Sequence, residues 1–342
     1  MAPNGSGERV VAAVDCGTNS IRLLISRQPI DGPPCDDHPR PKHPEFPPDA
    51  SHNPSQAADP EGKPRDLVRL MRIVRLGEGI DVTKRISSAA MDRTATALRE
   101  YADHIAQHRP SAVRMVATSA SRDAENSGEF RDMVYDILGV APEVITGDEE
   151  ARLSFAGAVA DLPPVDKPRL VVDIGGGSTE FVRGVRNAAA ARSVDIGCVR
   201  MTERHLRGDP PTEAQIAEAE ADITARVDEA LATVDPDRLS TSLVGLAGSV
   251  TTVTALALGL EGYDPDRIHH AEVSYDEVAK VTATLLGQTR EQRLGYGVMH
   301  PGRADVIAGG ALVLRIIMER SGAASVIASE HDILDGIAAS LA

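Results

Sequence analysis

The most restrictive feature of this sequence is a short segment that occurs twice. Residues 170–184 read as an apolar strand that ends in Asp173, a turn of three consecutive glycines and a second strand. Residues 9–26 repeat this pattern, because Asp15 is followed by Gly two residues later and by Ser five residues later, as Asp173 is. Two copies in the same register predict a duplicated structural unit.

Each of these turns predicts a site for an anion. Glycines allow backbone N–H groups to approach a phosphate closely. A lone glycine turn is more often an ordinary reversal of the chain, but two in matching register, with a third at a strand-to-helix junction, favour phosphate binding. The predicted phosphate-binding residues of the three turns are Gly17, Thr18, Asn19 and Ser20, then Gly175, Gly176, Gly177 and Ser178, and finally Gly248 and Ser249.

Acidic residues stand beside the turns that we expect to bind phosphate. Glu180 follows Asp173 by seven residues, so a tight hairpin returns it to the same end of the sheet. A surface acid on a strand is the competing explanation for Glu180. A divalent cation held by carboxylates and phosphate oxygens explains why acids occur where an anion binds. We therefore expect a Mg²⁺ site at Asp173 and Glu180, with Asp15 as a third acid, and Mn²⁺ as an alternative ion.

The composition limits the fold class and the partners. With 342 residues and 42% hydrophobic content the chain can bury a large core, and its length favours two domains. Aromatic residues make up only 3%, so the core rests on aliphatic side chains, which fits an α/β protein. The formal charge of −15 argues against nucleic acid and anionic membranes as partners. Widely spaced cysteines, with no signal-peptide or membrane-spanning pattern, predict a soluble cytoplasmic protein.

Residues 28–66 differ in composition from the remainder of the chain. They contain 11 of its 22 prolines and almost no apolar residues, which predicts a disordered or extended surface loop. His38, His43 and His52 stand beside acids in this loop. Weak metal binding is one interpretation of them, and a solvated insertion between two strands is the simpler one.

The order of predicted elements is nearly the same in the two halves of the chain. Each half reads as βββαβαβα, which predicts mixed sheets between helices and a cleft where the halves meet. We place the two domains at residues 1–145 and 146–342. Among the predicted elements are helices at Ser88–His108, Ser127–Leu138, Thr212–Val234 and Gly302–Arg320, and strands at Leu67–Leu76 and Arg192–Ile196.

Other segments carry side chains suited to phosphate hydrolysis. Asp148–Glu150 opens a helix at the junction of the two halves. Acids are favourable at any helix start, but at a cleft one of them can act as a general base on water. Arg122 follows a strand end and Arg303 follows a Pro-Gly pair, so both can reach the cleft. A surface position and a helix cap are the competing explanations for these arginines.

Together these segments resemble the exopolyphosphatase / guanosine pentaphosphate phosphohydrolase family, within the actin-like and sugar-kinase ATPase superfamily. The resemblance covers nearly the whole chain apart from residues 28–66. It rests on Asp15–Ser20, Arg75–Gly79, Ala117–Ala120 with Arg122 and Asn126, Gly147–Arg152, Asp173–Glu180, Gly248–Ser249 and Arg303–Ile307. It implies an α/β fold of duplicated ribonuclease H-like βββαβαβα domains with an interdomain cleft.

The family resemblance also implies an activity. Members hydrolyse the terminal phosphate of inorganic polyphosphate, and often of guanosine pentaphosphate, with magnesium. By its motif position Glu150 is then the base that activates water, while Asp173 and Glu180 help to hold the metal. The implied side-chain contacts to phosphate are Arg22, Arg122 and Arg303. A homodimer is also implied by the family.

Two features depart from the family pattern. Longer members carry further C-terminal helical domains, whereas this sequence stops after the two-lobed core, from which we predict a preference for short polyphosphate chains. The family usually has a Ser-Asp-x-Gly-type turn near the C-terminus, where this chain has Ser329–Asp332. The role of that segment stays open at the level of the sequence.

Two other classes of function remain compatible with the sequence. A nucleotide-gated kinase or chaperone-type ATPase can use the same turns, although no large substrate domain or adenosine-binding signature is evident. A catalytically weak sensor that binds polyphosphate or the guanosine alarmone is the other alternative. Tight binding without phosphate release would favour the sensor.

Overall fold

The computed structural model describes residues 8–29 and 64–342. Most of the predicted proline-rich loop, with its three histidines, lies outside the described residues. The predicted limits of that loop are too wide at both ends, because residues 28 and 29 close one strand and residues 65 and 66 open the next. These two strands pair with each other, so the loop joins neighbouring strands of one sheet.

The first half of the chain forms a five-stranded mixed sheet in the order β3-β2-β1-β4-β5. The first three strands are antiparallel, and β4 and β5 continue the sheet in parallel. The elements are β1 Glu8–Cys16, β2 Ser20–Pro29, β3 Arg65–Ile73, α1 Ile80–Thr83, α2 Ser88–His108, β4 Ala112–Ala117, α3 Ser119–Asp123, α4 Ser127–Leu138 and β5 Glu143–Val144.

The second half forms a six-stranded sheet in the order β10-β11-β9-β6-β7-β8. Its central strand β6 is buried along its whole length. The elements are α5 Gly147–Val159, β6 Arg169–Ile174, β7 Thr179–Gly184, β8 Ala188–Val194, α6 Cys198–Arg204, α7 Glu213–Val234, β9 Leu243–Leu246, α8 Ala247–Ala257, α9 Pro265–Ile268, β10 Glu272–Ser274, α10 Tyr275–Leu286, α11 Arg290–Leu294, α12 Ile307–Ser321, β11 Ser325–Ala328 and α13 Ile333–Ala339.

The two sheets share the order of their first three strands, which agrees with the predicted duplication. In each sheet an antiparallel three-stranded meander is followed by a strand that pairs in parallel with its first strand, β4 with β1 and β9 with β6. The predicted α/β fold of two sheet-containing units is therefore confirmed. Aliphatic residues dominate the buried clusters of both units, as the low aromatic content requires.

The last helix, α13, returns to the first sheet. Ile333, Leu334 and Ile337 are buried in one cluster with Val11 and Leu24 of that sheet. Helices α5 and α13 approach closely through glycine, since a Cβ at Gly336 would overlap the backbone of α5. The end of the chain thus ties the second unit to the first, while the domain limit between residues 145 and 146 stays a prediction.

Several predicted element boundaries are wrong, and one of them matters for the site. Helix α12 begins at Ile307 and not at Gly302, because residues 301–306 form a series of turns. Strand β8 begins four residues before the predicted Arg192 and ends two residues before the predicted Ile196, and β3 ends at Ile73. Helices α2 and α4 have the predicted extents. Helix α7 begins one residue after the predicted Thr212, which is its N-cap and forms a capping box with Gln215. In the described ranges no helix is both long and apolar enough to cross a membrane.

Candidate active site

The two repeated hairpins have the same turn and the same register. The N–H of Gly17 donates to the carbonyl of Ser20, and the N–H of Gly175 donates to the carbonyl of Ser178, both over 3.0 Å. Strand pairing then sets residues of each hairpin opposite one another. Asp15 faces Arg22 in the first hairpin, and Asp173 faces Glu180 in the second. The same backbone geometry therefore presents a carboxylate and a guanidinium in the first hairpin and two carboxylates in the second.

The two turns meet each other across the cleft between the sheets. A Cβ at Gly176 would lie 2.9 Å from Cβ of Thr18 and 3.1 Å from the backbone nitrogen of Asn19. The hydroxyl of Thr18 shares a hydrogen bond of 2.8 Å with that of Ser119, which follows β4. Glycine at position 176 is needed here for close approach, since any side chain would force the turns apart.

The third turn lies at the start of α8 and is covered by an arginine. Ala247 has a φ of 66°, an unusual conformation for a residue with a side chain. A Cβ on Gly248 would overlap the guanidinium of Arg303. Arg303 donates to the hydroxyl of Thr252 over 2.7 Å, and burial lowers its pKa. The turns at 301–306 place this cation beside the free N–H groups of the helix start.

A cavity of about 100 Å³ lies between the three turns. Every residue that we predicted from the sequence for the site lines it, with the exceptions of Arg122 and Gly177. Side chains that the sequence did not single out for the site also line the cavity; they include Met71, Thr118, Ser119, Cys198 and Ile333. The predicted phosphate turns and the predicted metal acids are therefore parts of one small, polar enclosure.

Glu150 enters this enclosure from the first turn of α5. The side chain of Thr146 caps the helix by accepting from the N–H of Glu149 over 3.2 Å. The three acids at this helix start have different surroundings. Asp148 is exposed and pairs with Arg152 over 3.1 Å, whereas the carboxyl group of Glu150 is buried and lines the cavity. Glu149 pairs with Arg114 over 2.9 Å, so Glu150 is the acid of this helix start that lines the cavity.

Arg122 holds the carboxylate of Glu150 in place. Its Nη1 atom donates to Oε2 of Glu150 over 2.8 Å and to the carbonyl of Ile145 over 2.9 Å. Burial raises the pKa of Glu150 to about 7, with Arg122 opposing the increase and Asp15 and Asp173 adding to it. A carboxylate with a pKa near neutrality is matched to proton transfer from water. Arg122 thus contacts the acid and lies outside the cavity wall.

The acids of the second hairpin are buried beside Glu150. The hydroxyl of Ser154 donates to Asp173 and the hydroxyl of Ser193 donates to Glu180, each over 2.7 Å. Burial raises the pKa of Asp173 to about 6, and repulsion by Asp332 adds to it. Burial and the neighbouring acids Glu150 and Asp173 raise the pKa of Glu180 well above its usual value. The acids repel one another, so a bound cation would stabilise their ionised forms.

The donor atoms fit a hard divalent cation. Asp15, Asp173 and Glu180 contribute only oxygen atoms to the cavity, and Mg²⁺ and Mn²⁺ prefer oxygen ligands. Oδ1 of Asp15 is buried and has no hydrogen-bond partner, which leaves an acceptor free for a ligand. Their oxygens do not close into a ready-made cage, because in the described part of the chain the one group of three such ligands within 4.8 Å lies elsewhere. Substrate and water oxygens would therefore complete the coordination.

Comparison with known proteins places this chain in a family. Residues 57–341 match the sequence model of the Ppx/GppA phosphatase family. The chain belongs to the Ppx/GppA phosphatase family. It is 46% identical over 341 residues to exopolyphosphatase 2 of Mycobacterium tuberculosis, an alignment that covers 97% of this chain and 98% of the relative.

Solved structures of Ppx/GppA proteins share the fold. An exopolyphosphatase-like protein superposes with a TM-score of 0.82 at 42% sequence identity, covering 96% of this chain and 97% of that one. The Aquifex aeolicus family member superposes with a TM-score of 0.75 at 27% identity, covering 98% and 97% of the two chains. The arrangement of two sheets around a cleft is thus common to this chain and other Ppx/GppA structures.

One charged residue of this Ppx/GppA protein escaped the prediction because its partners are distant in sequence. Asp332, at the start of α13, forms an ion pair with Arg22, which also donates to Asp15 over 2.6 Å. Arg22 therefore links the first hairpin to the end of the chain. It lines the cavity, but two carboxylates already share its guanidinium. Only the unusual Ser329–Asp332 segment signalled that this region of the sequence differs.

A second, larger cavity adjoins the first in this Ppx/GppA chain. It has a volume of about 500 Å³, and both cavities are lined by Arg22, Met71, Gly248 and Arg303. Its remaining wall combines apolar and polar side chains; these include Leu70, Val298, Met299, Leu334, Tyr263, Arg69 and His300. The first cavity can hold a terminal phosphate group, and the second has space for whatever is attached to it.

Proposed function

We propose that this protein is an exopolyphosphatase, which hydrolyses the terminal phosphoanhydride bond of inorganic polyphosphate. The observation that supports this proposal most strongly is the position of Glu150. This buried acid, held by Arg122, faces a cavity enclosed by three phosphate turns. The 46% identity to exopolyphosphatase 2 of M. tuberculosis over nearly the full chain supports the same activity.

The residues of the cavity have separate roles in this reaction. Glu150 takes a proton from a water molecule, whose oxygen then attacks the terminal phosphorus in line with the leaving oxygen. The P–O bond to the next phosphate breaks, which releases orthophosphate and a chain that is shorter by one unit. N–H groups of the turns and the guanidinium of Arg303 stabilise the charge on the transferred group.

We further propose that Asp15, Asp173 and Glu180 hold Mg²⁺, with Mn²⁺ as an alternative. When bound, the ion supplies positive charge to the phosphate oxygens and offsets the repulsion among the acids. Removal of divalent ions by a chelator is expected to abolish phosphate release, and Mg²⁺ should restore it. Activity that persists after complete chelation would contradict the metal assignment.

Guanosine pentaphosphate is the second candidate substrate. The adjoining cavity of about 500 Å³ has an apolar side, with Tyr263 on its wall, and a nucleoside needs both space and apolar contacts. Polyphosphate needs space but no apolar contacts, so the apolar side of this cavity is the observation that favours the second candidate. We also propose a cytoplasmic location, because the described cysteines, Cys16 and Cys198, are free thiols.

A phosphate-release assay with four substrates tests the proposal. Short polyphosphate, long polyphosphate, guanosine pentaphosphate and ATP are compared at equal concentration, with and without Mg²⁺. We expect Mg²⁺-dependent release that is fastest from short polyphosphate. Release from guanosine pentaphosphate alone would favour the second candidate. Tight binding of polyphosphate without release would favour a sensor, and preferential release from ATP would favour an ATPase.

A further inference from the structure

Three histidines and one aspartate form a compact cluster on the second unit, outside the cavity that we assign to phosphate. Nε2 of His269 lies 2.7 Å and Nδ1 of His331 lies 3.0 Å from Oδ2 of Asp161. The ring of His270 stacks on that of His269 with centroids 3.8 Å apart. Three separate segments supply these side chains, after α5, after α9 and before α13.

We propose that Asp161, His269 and His331 form a binding site for a transition-metal ion, with Zn²⁺ as the fitting ion. This site goes beyond the proposed phosphatase function and does not depend on it. One ligand atom from each of these three residues lies within 4.8 Å of the other two. In the described ranges no other three His, Cys, Asp or Glu side chains meet this condition.

The donor set selects the class of metal. Two imidazole nitrogens with one carboxylate oxygen suit Zn²⁺ and similar ions, whereas Mg²⁺ prefers oxygen ligands alone. Zinc bonds of about 2.0–2.1 Å place tetrahedral ligands roughly 3.3 Å apart. The observed separations of 2.7 and 3.0 Å from Asp161 to the two rings are close to this. Small side-chain movements would therefore bring the three residues to three of the four ligand positions of a tetrahedral zinc ion.

His270 places a further imidazole beside the three proposed ligands. Its Nε2 atom is buried and has no hydrogen-bond partner, although it lies 3.4 Å from Oδ1 of Asp161. The backbone of His270 has a φ of 63°, which is costly for a side chain of this size. Its N–H donates to the carbonyl of Ala328 over 2.7 Å, and this bond fixes the strained residue. The fold thus holds a third imidazole nitrogen, close to Asp161 but without a hydrogen bond, next to the three proposed ligands.

Hydrogen bonds in the cluster compete with the metal. The N–H of Glu330 donates to Nδ1 of His269 over 3.1 Å, so in the metal-free protein the proton of this ring lies on Nε2 and points at Asp161. Metal binding at Nε2 requires that proton to move to Nδ1, and the Glu330 N–H then loses its acceptor. Nδ1 of His331 must likewise give up the proton that it shares with Asp161. Zinc binding therefore replaces these hydrogen bonds with metal–ligand bonds.

The alternative explanation is an ion-pair cluster without a metal. Hydrogen bonds from His269 and His331 lower the pKa of Asp161 although its partial burial acts in the opposite direction. The bond to Asp161 raises the pKa of His331. Such a cluster would tie the three segments together by charge alone. Titration with a metal separates the two explanations, because only a metal site loses an equivalent of bound ion when its ligands are replaced.

The test is calorimetric titration of the full, untagged, chelator-treated chain with ZnCl₂ in excess MgCl₂. The excess Mg²⁺ is added to occupy the oxygen ligands of the phosphate cavity, so that the measured zinc binding comes from sites with nitrogen ligands. We expect one tight zinc equivalent that is lost in H269A/H331A and in Asp161→Asn. The exposed position of Asp161 makes Asp161→Asn the safer variant for folding. Replacement of zinc by Co²⁺ should produce visible absorption bands that the same variants lack.

Two controls make the outcome decisive. The triple variant H38A/H43A/H52A removes the histidines of the proline-rich loop and should keep the tight equivalent. His104→Ala removes a histidine of α2 and should also keep it. If Asp161→Asn and H269A/H331A, both folded by circular dichroism, bind zinc as the unaltered chain does, the site is overturned. Loss of the equivalent in the loop variant alone would overturn it as well.

Discussion

Arg122 donates to Glu150 over 2.8 Å and thereby joins α3 of the first unit to the start of α5. Burial raises the pKa of this carboxylate, and the bond from Arg122 opposes that rise because it favours the ionised form. The proposed base and the residue that lowers its pKa thus come from different parts of the chain. In the proposed mechanism Arg122 acts on the reaction through Glu150.

Arg122→Met should therefore change the pH dependence of hydrolysis. Without the guanidinium the pKa of Glu150 rises further, so the acid limb of the kcat profile moves to higher pH while KM changes little. Arg122→Lys keeps a charge and should move the limb less. Steady-state kinetics from pH 6 to 9 checks this. A change in KM with an unmoved pH profile would instead indicate that Arg122 contacts phosphate.

The contact between the two glycine turns predicts a second effect. Gly176→Ala brings a Cβ to within 2.9 Å of Thr18, so the turns must separate. Misplacement of a bound group by about 1 Å costs on the order of 100-fold in rate, and we expect kcat/KM to fall by that amount. Gly128→Ala is the matched control, because a Cβ there has no neighbour within 4 Å. Equal activity of the two variants would contradict the account.

Replacement of Asp332 should lower the stability of the fold. Asp332→Ala removes the partner of Arg22 and the cap of α13, whose N–H at Leu334 donates to Asp332 over 2.9 Å. Arg22 keeps Asp15 as a partner, so the expected cost is smaller than that of an unpaired buried charge and is on the order of 1–2 kcal/mol, the lost cap included. Urea unfolding should show this decrease. Asp332→Asn keeps an acceptor for the cap and should lose less, and equal losses would show that the ion pair and not the cap matters.

The repelling acids predict how metal-free stability depends on pH. The pKa values of Glu150 and Asp173 are raised to about 7 and about 6, so the folded state binds more protons than the unfolded state below these values. The free energy of unfolding of the metal-free protein therefore falls as pH rises from about 5 to 7. Mg²⁺ should reduce this fall.

Urea unfolding at pH 5.5 and pH 8, with and without Mg²⁺, measures this effect. The raised pKa of His331 contributes a loss of stability in the same direction, but it does so in both conditions and cancels in the difference. Glu150→Gln should have a smaller pH dependence than the unaltered chain when metal is absent. A pH dependence that neither Mg²⁺ nor this substitution alters would show that the acids do not repel one another as described.

The local pattern was sufficient to predict the parts of the site that lie within single hairpins. Asp15 and Asp173 end short apolar strands, and the glycines that follow enforce a turn, so register alone sets Glu180 opposite Asp173. The helices that were predicted correctly have strong periodicity or a capping residue at the start. These features are properties of a few neighbouring residues and need no knowledge of the remaining fold.

Long-range contacts were beyond such prediction. Arg22 and Asp332 are 310 residues apart, and no periodicity links them. Strand β8 begins with four alanines, which have low strand propensity, so only pairing with β7 defines its position. The start of α12 was predicted too early because residues 301–306 carry no strong helix breaker after Gly302, although packing of Arg303 against Gly248 requires turns there.

Phosphate release by Glu150→Gln tests the central claim most directly. The variant keeps the size and hydrogen-bonding capacity of the side chain but cannot accept a proton from water. With short polyphosphate and saturating Mg²⁺ we expect kcat to fall by about 10²- to 10⁴-fold, with KM, Mg²⁺ binding and thermal stability close to those of the unaltered chain. Turnover within a few fold of the unaltered chain would contradict the role of Glu150 as the base.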